Sequence, residues 1–221
     1  MLRRLFGLAC ACAACSSVRA GPCAGLERVR LTGPSLGRAL LDFDELAHAA
    51  ASLALGERIA FVNGVINQRV NPADDLEQFG ADLWLTPLET LALGRGDCED
   101  IAIAKFFVLL AANSPPAALR LLYAIHRPPQ TPGRQQAHLI ALARQPFVDP
   151  LALDSINPLA IPLSWRDDLQ PVLSFDCHRL WSGVDGSDRG DATARLRPWR
   201  ELLLRIDAQP HWRSAQAQRP G

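Results

Sequence analysis

Residues Ile101 to Ala111 read IAIAKFFVLLA, apolar on nearly every side at helical spacing and broken only by Lys105. A helix of that composition has no solvent-facing side, so it belongs in the middle of a fold with other elements packed around it. The preceding residues, GRGDCED at 94 to 100, say where it starts. Asp97 can cap the helix, Cys98 takes the first helical position, and Asp100 stands three residues after the cap. The thiol therefore opens a buried helix, where the helix dipole and unpaired backbone donors favour the thiolate. The acids on either side, Asp97 and Glu99, act in the opposite sense.

The rest of the chain must supply the elements that enclose this helix. From Asp42 to Leu55 and from Glu57 to Val70 apolar residues recur at helical spacing, as in Ile59, Val62, Ile66 and Val70, until Asn71-Pro72 ends the pattern. Thr86-Pro87-Leu88-Glu89 combines an N-cap, a first-turn proline and a capping-box acid, which predicts a short helix ending near Gly94. Beyond Asn113-Ser114-Pro115-Pro116 the apolar runs Leu119–Ile125, Ala137–Ala143 and Phe147–Leu153 are short and separated by Pro, Gly and Gln clusters, the pattern of strands. Helices first and antiparallel strands later predict an α+β fold, with a helical lobe over about 40–112 and a strand-rich lobe over about 117–181. An amphipathic helix closes the chain between Arg195 and Ala208, starting at Pro198. The acidic, Gly-rich DGSDRGD at 185 to 191 fails the EF-hand spacing and reads as a surface loop.

Composition narrows the class. A chain of 221 residues with 48% hydrophobic content can bury one core, so residues 21–221 are expected to form a single domain. With 23 basic and 23 acidic residues, no positive excess points to nucleic acid. The N-terminus has the signature of a signal peptide: Arg3 and Arg4, an apolar run from Leu5 to Cys15, then Val18-Arg19-Ala20. Cleavage after Ala20 removes Arg3, Arg4 and Arg19 but no acid, leaving 20 bases against 23 acids. It also removes three of the six cysteines, so Cys12-Ala13-Ala14-Cys15 is no metal or redox motif in the mature chain. Of the remaining three, a Cys23 to Cys177 bridge would leave Cys98 free in an oxidising compartment. No other run approaches the roughly 18 apolar residues of a membrane span, so the expectation is a periplasmic protein not embedded in the membrane.

A thiol nucleophile needs a base and a group that orients it. Of five histidines, His138 lies inside a strand-like run, AHLIAL, and Asp154 ends the next run, where hairpin pairing could bring the two together. His126, beside Arg127-Pro128-Pro129, is a competing base placed in a loop, while His48, His178 and His211 lie in segments without other catalytic signals. Cysteine on a buried helix with His and Asp on neighbouring strands is the layout of papain-like and transglutaminase-like enzymes. Each residue also has a plain structural reading: a buried cysteine packs as a small hydrophobe, a strand histidine can be a satisfied core residue, and Asp154 before Ser155 can open a turn. Trp84, just ahead of the short helix, can wall a site or fill a core.

DLWLTPLETLALGRGDCEDIAIAKFFVL, then AHLIAL, DPLALDSI and WRDDLQPVLSF, resembles the bacterial transglutaminase-like cysteine proteinases, the LapG-type periplasmic proteases, from about Asn63 to Trp181. The resemblance implies a papain/transglutaminase-like fold with Cys98 as nucleophile, His138 as base and Asp154 as orienter. It implies dependence on calcium, with Asp97 and Glu99 as metal ligands; oxygen donors suit that hard cation. It also implies a large surface adhesin as the protein substrate, cleaved near its N-terminus to control biofilm attachment, and an inner-membrane cyclic di-GMP receptor as inhibitor. The chain departs from the family's pattern at Ser155, where an Asn is usual, and in the Pro- and Gln-rich HRPPQTPGRQQ at 126 to 136. The same triad chemistry would serve an acyl transferase or amidase if an amine resolved the thioester, and the fold without chemistry would serve a periplasmic binding protein.

Overall fold

The computed structural model describes residues 33–145 and 148–209. The expected signal segment, Cys23 with its proposed bridge to Cys177, and His211 therefore lie outside the described residues. Helix α1, Gly33–Ala51, begins nine residues ahead of the expected Asp42. The cause is visible in its buried stripe, since Ala39, Phe43, Leu46 and Ala50 step by three and four and carry the helical period back beyond the acids. Helix α2, Leu55–Arg69, buries Ile59, Val62, Asn63 and Ile66.

Two short segments then frame the cysteine. Strand β1, Asn71–Pro72, pairs in parallel with β2, Arg95–Gly96, and α3, Asp75–Phe79, follows with Asp74 as its cap. Helix α4, Pro87–Leu93, starts on the expected capping box of Thr86 and Glu89 and stops at Gly94, whose φ of 62° is the left-handed conformation glycine adopts without penalty. Helix α5, Cys98–Ala111, is the apolar run, and it packs against α1, α2 and α4 on one side and the sheet on the other. Ten of its fourteen residues are buried, which is why it needs no polar face.

The sheet has seven strands: β3 Leu119–His126, β4 Gln136–Gln145, β5 Val148–Leu153, β6 Ile161–Pro162, β7 Leu169–Phe175, β8 Arg179–Ser182 and β9 Asp188–Asp191. Their order is β6-β5-β4-β3-β7-β8-β9, with every pair antiparallel. Alternation along the strands divides the apolar residues. Leu121, Leu139, Ala141 and Leu153 join the core around α5, whereas Leu122, Ala124, Ile140, Leu142 and Ala152 form a smaller cluster of their own. Both sets are fully buried, so the strands read as continuous apolar runs.

Three expectations are corrected. His126 ends β3 and is not in a loop, because its register partner Gln136 extends the hairpin by a further pair. DGSDRGD is not wholly loop, since its last four residues are β9, paired with β8. The final helix, α7, spans Arg197–Ala208 after a separate turn α6, Ala192–Arg195, so it starts at Arg197, with Pro198 inside the first turn. Trp199 of α7 is wholly buried, with ring centroids of Trp84, Phe106, Phe107 and Phe175 at 6.4, 6.1, 6.0 and 5.3 Å. Burying a residue of that size contributes on the order of 2–3 kcal/mol, enough to fix the C-terminal helix on the core.

Candidate functional site

The cysteine's position follows from its cap. Asp97 Oδ1 accepts from the backbone N–H of Glu99 at 3.0 Å and of Asp100 at 3.3 Å, and Asp100 Oδ2 accepts in return from the N–H of Asp97 at 3.3 Å. Asp100 Oδ1 also takes the N–H of Leu85 at 2.8 Å, tying the segment before α4 to the start of α5. This doubling back requires Gly96, where a Cβ would fall 2.6 Å from Asp100 Oδ2 and 2.7 Å from Asp100 Cβ. The cap uses Oδ1 of Asp97 and leaves Oδ2 outside it, so capping and ligand binding need not compete for one oxygen.

Cys98, His138 and Asp154 come together. Cys98 and His138 line one cleft of about 430 Å³ with Asp74, Asp75, Asp82, Asp97, Glu99 and Ser155. The Leu139 N–H, one residue past His138, reaches the Cys98 sulphur. His138 Nε2 lies 2.7 Å from Asp154 Oδ1, with both side chains buried. With Nε2 engaged by the carboxylate, Nδ1 is the ring nitrogen left to accept a proton. Asp154 stands just beyond β5, as the hairpin reading expected, and its Oδ1 also accepts the N–H of Ile156 at 2.8 Å. Arg166 Nη1 holds Oδ2. Burial opposes a charge there, yet His138, the Ile156 N–H and Arg166 together hold the Asp154 carboxyl well below the usual carboxylate range.

The thiol itself is held back. Burial first, then the charges of Glu99 and Asp97, push the Cys98 thiol well above its ordinary range. Its sulphur lies 2.8 Å from Glu99 Oε2, so the thiol donates to that carboxylate. Around this pair the acids converge: one carboxylate oxygen each from Asp82, Asp97 and Glu99 lie within 4.8 Å of one another. Asp75, only 2% exposed, borders the same cleft, and burial, only partly offset by the Leu83 N–H and reinforced by Glu99, pushes its carboxyl up to about 7. Burial, then Glu99, Asp100 and Asp75, push the Asp97 carboxyl far above its usual range.

The sequence reading did not find four of the groups that shape this site. Asp82 stands fifteen residues before Asp97, with no spacing rule to connect them. Arg166 bridges Asp154 and Asp168, and Lys105 and Asn67 both donate to the Asp154 carbonyl; each of these depends on non-local packing. Lys105 alone carried a signal, as the one charge inside an apolar helix. His126 is held by its own partners, with Asp168 Oδ2 at 3.2 Å and Gln136 Nε2 at 3.1 Å, and it does not line the Cys98 cleft. His48 and His178 are exposed, on α1 and in the β7–β8 turn. Trp84 stacks on Phe175 at 6.2 Å in the core and does not line the Cys98 cleft; it borders a second cavity that shares Glu99 with that cleft.

No protein-family model and no curated protein matches the chain. Solved structures do. EGTA-treated Legionella pneumophila LapG aligns with a TM-score of 0.67 and 30% identity, over 82% of this chain and 95% of that one. A further structure of Legionella pneumophila LapG aligns at 0.65 and 29%, over 82% and 94%. The calcium-bound form aligns at 0.64 and 29%, over 82% and 95%.

Proposed function

The chain belongs to the LapG-type protease family, and on that premise we propose that it is an exported, calcium-dependent cysteine endopeptidase of the periplasm using Cys98, His138 and Asp154. The observation that carries the reading is the 2.7 Å contact of His138 Nε2 with Asp154 Oδ1 beside the cleft that holds Cys98.

His138 Nδ1 takes the proton of Cys98, and the sulphur attacks the carbonyl carbon of a peptide bond. Asp154 fixes the tautomer and stabilises the imidazolium, while Arg166 and Ile156 keep the carboxylate aimed and ionised. The α5 cap claims the N–H groups of Glu99 and Asp100 but not that of Cys98, which in this reading donates to the oxyanion. His138 returns its proton to the amine as the C–N bond breaks, and water then cleaves the thioester to free the carboxylate and the thiol.

Asp82, Asp97 and Glu99 suit a calcium ion: all are hard oxygen donors, they converge within 4.8 Å, and the buried carboxyl of Asp75 borders the same cleft. Held by Asp82, Asp97 and Glu99, a calcium ion would supply positive charge beside the thiol. The acid pair flanking Cys98 thereby becomes part of the activation rather than an obstacle to it.

The proposed substrate is the N-terminal region of a large surface adhesin, with control by an inner-membrane cyclic di-GMP receptor; both rest on family membership. The test is incubation of the mature protein with the N-terminal region of a co-encoded adhesin, with and without a calcium chelator, beside Cys98→Ala. Calcium-dependent cleavage lost in Cys98→Ala is expected. Intact adhesin after incubation with the unaltered protein in calcium overturns the reading, and cross-linked products would favour an acyl transferase instead.

A further inference from the structure

A second cavity, of about 670 Å³, adjoins the first and shares Glu99 with it. Its floor is apolar, built from Trp84, Tyr123, Leu139 and Phe175, while its rim carries Arg195, Arg197 and Arg200 from α6 and α7, all exposed. Among the described residues, only Arg197 of these three has a carboxylate partner, Glu201 at 2.7 Å; Arg200 donates to the Thr193 carbonyl at 3.2 Å. The first cleft is the electrostatic opposite, with five carboxylates and, among the described residues, neither lysine nor arginine in its wall. The thiol thus lies where an acidic cleft meets a basic one.

Two details tie the second cavity to a ligand. Tyr123 Oη is shut off from solvent with no hydrogen-bond partner among the described residues, although its side chain lines the cavity. Leaving such a hydroxyl unpaired costs about 1–3 kcal/mol, a deficit that a carbonyl or carboxylate oxygen of an occupant removes. Leu139 of the floor is the residue whose N–H reaches the Cys98 sulphur, and Glu99, next to Cys98, lines both cavities, so the cavity lies beside the nucleophile.

We propose that this cavity is the recognition subsite for the substrate polypeptide on one side of the scissile bond, selecting an apolar side chain flanked by Asp or Glu. The apolar side chain covers Trp84 and Phe175, a backbone carbonyl accepts from Tyr123, and the flanking acids meet Arg195 and Arg200. An acidic segment is turned away from the carboxylate-lined cleft by the same charges, which gives the bound chain a direction. Calling the occupant a substrate rests on the peptidase reading; the site itself rests on the cavity.

Binding and cleavage are measured separately so that the two ideas fail separately. Fluorescein-labelled decapeptides with a central Phe flanked by Glu or by Lys are titrated into the mature Cys98→Ala protein. The Glu peptide is expected to bind about tenfold or more tightly than the Lys peptide, with a preference that fades in about 0.5 M salt. Arg195→Glu with Arg200→Glu, both exposed and checked for unaltered melting, should reverse the order, and Tyr123→Phe should weaken both peptides several-fold. Equal affinity for the two peptides, or an order that the double reversal leaves unchanged, overturns the subsite. Cleavage is then mapped by mass spectrometry on a mixed-sequence decapeptide pool with the unaltered Cys98 protein in calcium. Cut sites with Asp or Glu beside an apolar residue support the subsite. Cut sites without that enrichment, insensitive to the reversal, remove it and leave the peptidase standing. Charge-dependent binding with no cleavage keeps the subsite and removes the peptidase.

Discussion

The ammonium of Lys105 donates to the backbone carbonyl oxygen of Asp154 at 2.8 Å, and Asn67 Nδ2 donates to the same oxygen at 2.9 Å. The one basic residue in the buried helix is therefore the tether that holds the residue after β5 in place beneath His138. Burial, only partly offset by Asp154, pulls the Lys105 ammonium down to about 7. The unfolded chain keeps that proton until its ordinary range near 10.4, so between about pH 7 and 10.4 the unfolded state binds more protons at this site and the contribution of Lys105 to stability rises with pH.

Lys105→Met should remove this rise. The gap in urea midpoint between the unaltered protein and the variant, measured from pH 7 to 10, is expected to move in favour of the unaltered protein by on the order of a few kcal/mol in unfolding free energy, whatever slope the raised carboxyls and thiols impose on both. Parallel curves would show that Lys105 does not lose its proton on folding. Peptidase activity of the variant is expected to fall at least tenfold, since the Asp154 carbonyl retains only Asn67.

Asp154 predicts the acid limb. Its folded carboxyl is held below the ordinary carboxylate range, so its contribution is complete above that range and is lost as pH falls through the folded value. Asp154→Asn should therefore flatten the decline in melting temperature on the acid side. It should also lower kcat roughly a thousandfold or more, because an amide in place of the carboxylate no longer stabilises the imidazolium and can set the wrong tautomer. A variant within tenfold of the unaltered kcat would remove Asp154 from the triad.

Asp82 is the site residue that only the structure supplies, and its carboxylate should count as much as those beside the cysteine. In calcium at about a hundred times its dissociation constant, binding is expected to stabilise the fold by about 2.7 kcal/mol, read as a rise in melting temperature that a chelator should abolish. Asp82→Asn should weaken calcium binding about tenfold or more by titration calorimetry and shrink that rise. An unchanged calcium titration would exclude Asp82 as a ligand.

Gly96→Ala tests the cap. The added Cβ would meet Asp100 Oδ2 at 2.6 Å, and Asp100 is wholly buried, so the side chain cannot swing away. The variant should lose about 1–3 kcal/mol of stability and alkylate Cys98 at an altered rate, measured by denaturant melts and iodoacetamide labelling. Stability within about 0.5 kcal/mol would mean that the Asp97–Asp100 box adapts easily.

Much of the site was legible because its signals are local. A cap, a cysteine and an apolar run are adjacent in GRGDCEDIAIAK, and helix capping acts over three residues, so α5 and the orientation of Cys98 follow from the sequence. Asp154 was also within reach, since a β4–β5 hairpin leaves few places for the end of one strand to lie. The placement of His126 went astray because the Pro-rich stretch after it suggested a loop one residue too early, and strand ends depend on the partner strand.

By itself the sequence determined which helix is buried, where the thiol stands on it, and which strand histidine and aspartate could serve it. Periodicity and capping are properties of neighbouring residues, and the chain order carries them. Only the tertiary structure decided that Asp82 joins the acids around Cys98, that Arg166 and Lys105 converge on Asp154, and that α6 and α7 bring arginines to a cavity beside the thiol. These groups lie up to about a hundred residues apart. They meet because a central helix and a seven-stranded sheet are packed together, and no local rule encodes where such surfaces touch.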